Sequence, residues 1–235
     1  IALNLYSYVK NPFTAEAEFD MALFKEHTGK AMRLMDDLID LEMEKIEAIL
    51  DKIKSDPETD DVKRTELDLW EKIKKKSLGG RRTGLGITAE GDMLAALGMR
   101  YGSEKAIDFA VEVQQNLAVE AYRSSVNMAS ERGAFPIYDT KREENNPMID
   151  RIRTVDPELY ALMAKVGRRN ISLLTIAPTG TTSLMTQTTS GIEPVFLPFY
   201  IRRRKVNPND KNAVITFKDD VGDCWEEYYV FHHKF

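Results

Sequence analysis

Long segments with helical periodicity alternate with short apolar segments, and this order constrains the fold more than any other feature of the sequence. One long periodic segment spans residues 103–132 and is ended by Gly133 and Pro136. Residues 1–6 and 171–176 are apolar segments of strand length. Strands separated by long helices are typical of α/β folds with a mostly parallel sheet or barrel.

Local signals predict the other elements. We expect residues 14–54 to be helical with one break, with Thr14 as the N-cap, and residues 55–57 to stop the helix. A second helix should end at Gly79 and Gly80 with a left-handed C-cap. The remaining predicted elements are a glycine-interrupted strand at 83–88, a short helix at 92–98, a helix capped by Asp156 with Pro157 at its first position and closed by Gly167, and a terminal β-hairpin of 213–217 and 225–231 around a turn at 219–223.

Composition narrows the class of protein. The 33 basic and 38 acidic residues give a formal charge of −5, which lacks the basic excess of a general nucleic-acid binder. The single cysteine, Cys224, excludes an internal disulfide framework, and no apolar run reaches the roughly 18 residues that predict a membrane span. We therefore expect a cytoplasmic protein without nucleic-acid or membrane partners. The sequence starts inside an apolar segment and stops directly after a strand-like run, so we expect a fragment of a longer protein.

A cluster of hydroxyl residues around one glycine follows the apolar segment 171–176. Pro178 ends that strand, and residues 179–183 lead into a segment long enough for one or two helical turns. If that segment is helical, its free N–H groups and the positive end of its dipole lie at the carboxyl end of a strand, where ligands of open α/β sheets bind. Such a site suits a phosphate without needing a lysine, but the spacing alone is explained more often by an ordinary N-capped βα turn.

Other motifs carry weaker signals. Gly84 and Gly86 follow a strand, but the next glycine is Gly91, so the dinucleotide fingerprint spacing is not met. We expect these glycines to let the sheet pack closely on a helix. The basic run 202–205 reads as a solvated surface strand before a loop at 207–210. His232, His233 and Cys224 do not form a predicted metal site, because the hairpin separates them and no fourth ligand is near; Cys224 also lacks a base that would make it a nucleophile.

Several stretches together resemble one family in order and spacing. They are residues 81–88 with Asp92, residues 177–183 and residues 190–194. The combination is similar to the carboxy-terminal part of the large catalytic subunit of ribonucleotide reductases. Residues 181–196 and 202–208 most resemble the adenosylcobalamin-dependent class, and the likeness spans essentially the whole chain, 1–235.

The resemblance implies a fold and a site. The fold is a ten-stranded α/β barrel, of which this chain would be roughly the carboxy-terminal half, with long helices and a terminal β-hairpin. The loop of Pro178, Thr179, Gly180, Thr181 and Thr182, with Ser183 behind it, would hold the substrate phosphates at a helix N-terminus. Adenosylcobalamin would be the cofactor, bound mainly by parts outside or bordering this chain. Other partners would be a ribonucleotide and a thioredoxin- or glutaredoxin-type reductant, and a homodimer remains open.

The resemblance also implies what this chain lacks. The family reduces ribonucleotides to deoxyribonucleotides with a cysteine thiyl radical, an Asn-x-Cys-x-Glu loop and two redox cysteines, and none of these positions matches residues of this chain. We therefore expect no catalytic residue and no metal ligand here, and an inactive chain when it is alone. The alternatives are the di-metal class that depends on a small subunit, and a non-catalytic nucleotide-binding module. Whether the substrate is a di- or triphosphate, which effectors act and what Cys224 does stay open.

Overall fold

The computed structural model describes residues 1–207, 209–210 and 212–235, and within them it mixes long helices with short strands. The helices are α1 (Met21–Ser55), α2 (Asp60–Gly80), α3 (Glu90–Ala96), α4 (Glu104–Arg132), α5 (Pro147–Val155), α6 (Pro157–Val166) and α7 (Gly180–Thr186). The strands are β1 (Ala2–Asn4), β2 (Val9–Lys10), β3 (Glu18–Phe19), β4 (Gly86–Thr88), β5 (Phe199–Lys205), β6 (Phe217–Lys218) and β7 (Cys224–Phe231). Pro208, in the predicted loop 207–210, lies outside the described residues.

The strands form small sheets, and no closed sheet is found among the described residues. β1 and β4 pair in parallel, with Ala2 opposite Gly86 and Asn4 opposite Thr88. β2 pairs with β3, and β5 and β6 flank β7, all antiparallel. The mixed α/β class is therefore confirmed, whereas a ten-stranded barrel is not seen in this chain by itself.

α1 begins later than the sequence predicts and has no break. The predicted cap, Thr14, lies instead in a turn, where its Oγ1 donates to Asn11 O at 2.8 Å. Asp20 is the actual N-cap and accepts a hydrogen bond from Leu23 N at 3.0 Å. The delay has a physical reason: β3 pairs with β2, and this pairing holds the residues just before Asp20 in an extended conformation.

The main core lies where α1 and α4 pack together beside the β1–β4 pair. Its fully buried side chains include Phe24 and Met32 of α1, Val113 and Val126 of α4, and Ile87 of β4. A second, smaller cluster joins α1 to α2 beyond the main core. The long amphipathic helices therefore bury one face each, as their periodicity predicts.

The glycines at the start of β4 have a different role from the predicted one. A Cβ atom on Gly86 would overlap the main-chain oxygen of Thr175, and one on Gly84 would lie 3.0 Å from the Thr175 side chain. The close neighbour is therefore the segment 171–176 and not a helix. We correct the prediction: these glycines allow two extended segments to approach each other.

The segment 171–176 is extended but only partly a buried strand. Leu174 pairs in parallel with Leu85, and Leu85 N donates to Leu173 O at 2.8 Å while Thr175 N donates to Leu85 O at 2.9 Å. Leu173 is buried, whereas Ile176 is 60% exposed. Among the described residues this bridge is the one strand pairing that the segment makes.

Near the carboxyl terminus, a hairpin forms largely as predicted. β6 and β7 pair antiparallel around the predicted turn, but β6 is shorter than the segment 213–217 and begins at its last residue. The longer partner of β7 is β5, which contains the basic run 202–205 and is exposed along its whole length. The prediction of a solvated surface strand there is confirmed.

A buried polar network joins α1 to the segments around α2 and α4. Asp36 is fully buried, and its Oδ1 accepts from Arg81 Nε at 2.8 Å and from Asn170 Nδ2 at 2.9 Å. Its Oδ2 accepts from Arg169 Nε at 3.2 Å and lies 3.5 Å from an Arg132 guanidinium nitrogen. The left-handed residue after α2 is Arg81, with φ 44°, and not the predicted glycine, because this network holds Arg81 in place.

Candidate functional site

The hydroxyl loop lies at the carboxyl end of the parallel strand pair. Thr88 is the last residue of β4, and its Oγ1 lies 3.1 Å from Oγ1 of Thr179, the residue just before α7. α7 begins at Gly180, so the predicted short helix after the hydroxyl cluster is confirmed. This is the edge of an α/β sheet at which ligands usually bind.

The six predicted loop residues divide into exposed and internal groups. Pro178, Gly180, Thr181 and Thr182 are exposed, and an added Cβ on Gly180 would meet nothing within 4 Å. Ser183 is buried, and its Oγ donates to Gly180 O at 2.8 Å. The open side of the loop therefore presents the first turn of α7, whose N–H groups have no partner within a helix.

Thr179 takes an unusual backbone conformation to start the helix. Its φ is 49° and its ψ 22°, in the left-handed region that a β-branched residue rarely adopts. Its Oγ1 accepts a hydrogen bond from Gly191 N at 2.7 Å, in addition to the contact with Thr88. Gly191 also has a positive φ, of 50°. These contacts fix the turn that precedes α7.

Asp92 ties the segment after α7 to the start of α3. Its Oδ2 accepts from Thr189 N at 2.8 Å, and its own N donates to Thr189 Oγ1 at 3.3 Å. Thr189 O in turn accepts from Thr88 Oγ1 and from Ala89 N, both at 3.1 Å. Asp92 is fully buried. The chain on both sides of the loop is thus fastened to residues 88–92.

The segment 190–194 packs tightly on α3. A Cβ on Gly91 would come within 2.5 Å of Glu193 O and 2.7 Å of Pro194 Cα. Tyr101 OH donates to Ile192 O at 3.0 Å. Gly91, which the dinucleotide spacing does not explain, is therefore needed for close backbone packing beside the loop.

Sequence reasoning missed most of the supporting residues. Thr88 lies 91 residues before Thr179, whereas Gly191 lies 12 residues after it; both belong to the stretches that resemble the family, and Thr189 adjoins one of them. Their position at the ends of those motifs is the only signal in the sequence. Their mutual contacts depend on parallel pairing, which the sequence does not specify.

The groups considered for metal binding have other partners. His232 Nε2 lies 2.8 Å from Asp92 Oδ1, so the carboxyl-terminal segment reaches back to α3. Cys224 begins β7, opposite Lys218 of β6. In the described part of the chain, Asp36, Asp37 and Asp40 could together hold an ion by geometry, but arginines already contact all three.

One carboxyl group beside the loop has a raised pKa. Burial raises the pKa of Glu90, the first residue of α3, above its usual range. The hydrogen bond that Gln114 Nε2 donates to Glu90 Oε2, at 3.3 Å, opposes this rise only in part. Glu90 N also donates to Gly191 O at 3.3 Å, which places this carboxyl next to the loop support.

A large concavity lies beside the extended segment that leads to the loop. It is an apolar groove of about 740 Å³ between α4, α5 and residues 174–176. Ile107 and Val111 of α4 line it and are more than half exposed.

None of the described helices is both long and apolar enough to cross a membrane.

Comparison with known proteins decides the family. The family model described as "Ribonucleotide reductase, barrel domain" matches residues 2–223. The chain belongs to the ribonucleotide reductase barrel-domain family. The resemblance that the motifs indicate is thereby confirmed for residues 2–223 of this chain.

Individual relatives agree with this assignment. The chain is 30% identical over 189 residues to a vitamin B12-dependent ribonucleoside-diphosphate reductase of Mycobacterium tuberculosis, which covers 80% of this chain and 21% of the relative. It is 32% identical over 133 residues to the protein of the same name from Thermoplasma acidophilum, covering 56% of this chain and 15% of the relative. A ribonucleoside-diphosphate reductase subunit alpha of Chlamydia pneumoniae is 26% identical over 220 residues, covering 86% of this chain and 18% of the relative. The chain thus spans about a fifth of the length of these relatives.

Proposed function

We propose that this chain is part of a ribonucleotide reductase that converts ribonucleotides to deoxyribonucleotides for DNA synthesis by thiyl-radical chemistry. Its membership of the barrel-domain family is the observation that carries the proposal. In the proposed reaction two thiols supply two electrons, the 2′-hydroxyl leaves as water and the thiols become a disulfide. The names of the relatives favour ribonucleoside diphosphates as substrates. We place the reaction in the reducing cytoplasm, with a thioredoxin- or glutaredoxin-type reductant.

The role of this chain would be to bind the substrate phosphates. The proposed ligand groups are the first N–H groups of α7 with the hydroxyls of Thr181 and Thr182, all on the open side of the loop. Pro178 would stop the preceding strand, while Thr179 and Ser183 would shape the loop from inside. The positive end of the α7 dipole and its free N–H groups suit an anion without a lysine.

The incomplete sheet supports a larger barrel. The extended segment 171–176 pairs along one edge only among the described residues, and the apolar groove adjoins residues 174–176. We propose that further strands of the same ten-stranded barrel pair with its other edge and cover Ile107 and Val111. Apolar surface of this kind is otherwise unfavourable in water. A homodimer of the complete protein is compatible with this arrangement.

Adenosylcobalamin is the proposed cofactor because relatives carry that dependence in their names. A cluster of three carboxylates such as Asp36, Asp37 and Asp40 would hold a bare cation and not a cobalt already bound in a corrin ring, so it does not mark a cobalamin site among the described residues. We place the binding of the cofactor mainly in parts outside or bordering this chain.

A di-metal reductase that works with a small subunit is the second candidate. It is favoured by the Chlamydia pneumoniae relative, which is named subunit alpha and covers 86% of this chain. A non-catalytic nucleotide-binding module is the alternative from another class. It would keep the loop and lack the redox cysteines.

One assay separates these candidates. The full-length protein is incubated with CDP and dithiothreitol, with and without adenosylcobalamin, and dCDP is measured. Formation of dCDP only with the cofactor supports the first candidate. Indifference to the cofactor, with activity restored by a small subunit, supports the second, and CDP binding without any dCDP supports the binding module. The 235-residue chain should form no dCDP, because one cysteine cannot act as a dithiol.

The loop itself is tested by Gly180→Val. The added side chain would stand on the open side of the loop, where nothing lies within 4 Å of a Cβ. We expect the affinity for CDP to fall at least tenfold while the melting temperature changes by no more than about 2 °C, because the position is exposed. Unchanged CDP affinity would remove the phosphate-loop role.

A further inference from the structure

The hydroxyl of Thr179 has its hydrogen-bonding capacity used inside the protein. A threonine hydroxyl has one proton to donate. The Thr88 hydroxyl lies 3.1 Å from Thr189 O, an oxygen that can only accept, and we assign the Thr88 proton to it. With that assignment Thr179 is the donor in the 3.1 Å contact between the two hydroxyls. Thr179 Oγ1 also accepts from Gly191 N at 2.7 Å. It therefore has no proton left for a phosphate oxygen.

The same two contacts hold Thr179 in a strained backbone conformation. Thr179 has φ 49°, and such strain in a β-branched residue persists only where the surroundings hold it. Thr88, which is fully buried at the end of β4, holds the side chain from one side, and Gly191 N holds it from the other. Gly180 follows directly, so the direction of the first N–H groups of α7 depends on this turn.

We propose that Thr179 is a positioning residue and that buried Thr88 acts through it to aim the N–H groups at the start of α7 toward the substrate phosphates. This inference rests on the phosphate-binding role proposed above for the loop. It differs from that role in one respect: Thr179 and Thr88 contribute to affinity without touching the ligand.

The test compares CDP with cytidine, which lacks the phosphates, as ligands of the full-length protein in isothermal titration calorimetry. Thr179→Val keeps the shape and removes both hydrogen bonds, and we expect about a tenfold to hundredfold loss of CDP affinity with cytidine affinity unchanged. Thr179→Ser keeps the hydroxyl and should stay within about threefold of the wild type. A merely structural role would not weaken the two ligands so unequally.

Thr88→Val distinguishes positioning from direct contact. The buried Thr88 side chain has no access to a ligand, and its removal leaves Thr189 O still bonded to Ala89 N at 3.1 Å. Positioning predicts a loss of CDP affinity close to that of Thr179→Val, and a double variant no weaker than the single ones. Melting temperatures confirm that each variant is folded.

Three results would contradict the inference. If Thr88→Val binds CDP as the wild type does while Thr179→Val does not, Thr179 contacts the phosphate directly. If both variants lose affinity for CDP and cytidine alike, the residues act on the fold only. If the wild type binds CDP and cytidine equally, the phosphate-loop role itself fails, and this result is distinguishable because it needs no variant.

Discussion

Replacing Asp36 with asparagine should strongly destabilise the protein. The side chain is fully buried, and each of its oxygens faces nitrogen donors: Arg81 and Asn170 at Oδ1, Arg169 and Arg132 at Oδ2. An asparagine must turn its NH2 group toward one of these pairs of donors. It also removes the charge that balances Arg81, whose side chain is only 3% exposed.

The size of the effect follows from this geometry. Removing one partner of a buried ion pair costs about 3–5 kcal/mol, and the contact that Arg81 keeps with the half-exposed Asp40 at 2.8 Å offsets only part of this cost. For a chain of this size each kcal/mol lowers the melting temperature by about 2–4 °C, so a fall of about 6–20 °C is expected. Asp37→Asn is the matched control: the Asp37 side chain is 45% exposed and, among the described residues, forms an ion pair with Arg132 alone, so its loss should cost no more than about 1 kcal/mol.

The effect should also depend on pH. Burial by itself would raise the pKa of Asp36, but hydrogen bonds and charge from Arg81, with help from Asn170 and Arg169, bring it below its ordinary value. Ionised Asp36 thus adds stability above the unfolded pKa of about 3.9, and this is lost as the pH falls through the lower folded pKa. The difference between wild type and Asp36→Asn should therefore shrink at strongly acid pH.

Urea unfolding measures the free energy of unfolding of the wild type and both variants. It is carried out at pH 7 and at a series of lower pH values down to the acid limit of folding. The reasoning is refuted if Asp36→Asn loses no more stability at pH 7 than Asp37→Asn. It is also refuted if the loss grows as the pH falls.

Two further substitutions test packing and burial. Gly86→Ala should lower the free energy of unfolding by at least about 1–3 kcal/mol, because its Cβ would overlap Thr175 O. The control is Gly29→Ala on α1, where nothing lies within 4 Å of the added Cβ and the free energy of unfolding should rise by about 0.5–1 kcal/mol; equal effects of the two variants in urea unfolding would contradict the close approach at Gly86. Glu90→Gln should stabilise the protein at neutral pH, because burial raises the folded pKa of Glu90 and disfavours its ionised form. The gain in stability should vanish below about pH 4, where Glu90 is protonated in the folded and the unfolded protein alike. A gain that persists at that pH would show another cause.

The helices are the part of the fold that the sequence predicted best. α4 begins after Ser103 and α6 after Asp156, close to the predicted starts, and Asp156 accepts a hydrogen bond as the predicted N-cap. α5 was not predicted, although Asn146 caps it and Pro147 lies at its first position. Its boundary signals were present, but a helix this short offers little periodicity to support them.

The strands were harder because their partners are distant in sequence. Thr14 was wrong as the start of α1, since the pairing of β2 with β3 delays the helix to Asp20 and Met21. The glycines of β4 were assigned to the wrong neighbour for the same reason. Composition and periodicity report the faces of an element, but they do not report which segment lies at its edge.

The sequence by itself determined the α/β class, the family, and the hydroxyl loop 179–183 ahead of a short helix, because these depend on local order and on motifs. Only the tertiary structure decided which loop hydroxyls are open to a ligand. The distinction between the exposed Thr181 and Thr182 and the internally bonded Thr179 comes from its contacts with Thr88 and Gly191. A hydroxyl can serve a ligand or the protein, and that choice is made by neighbours which the fold supplies.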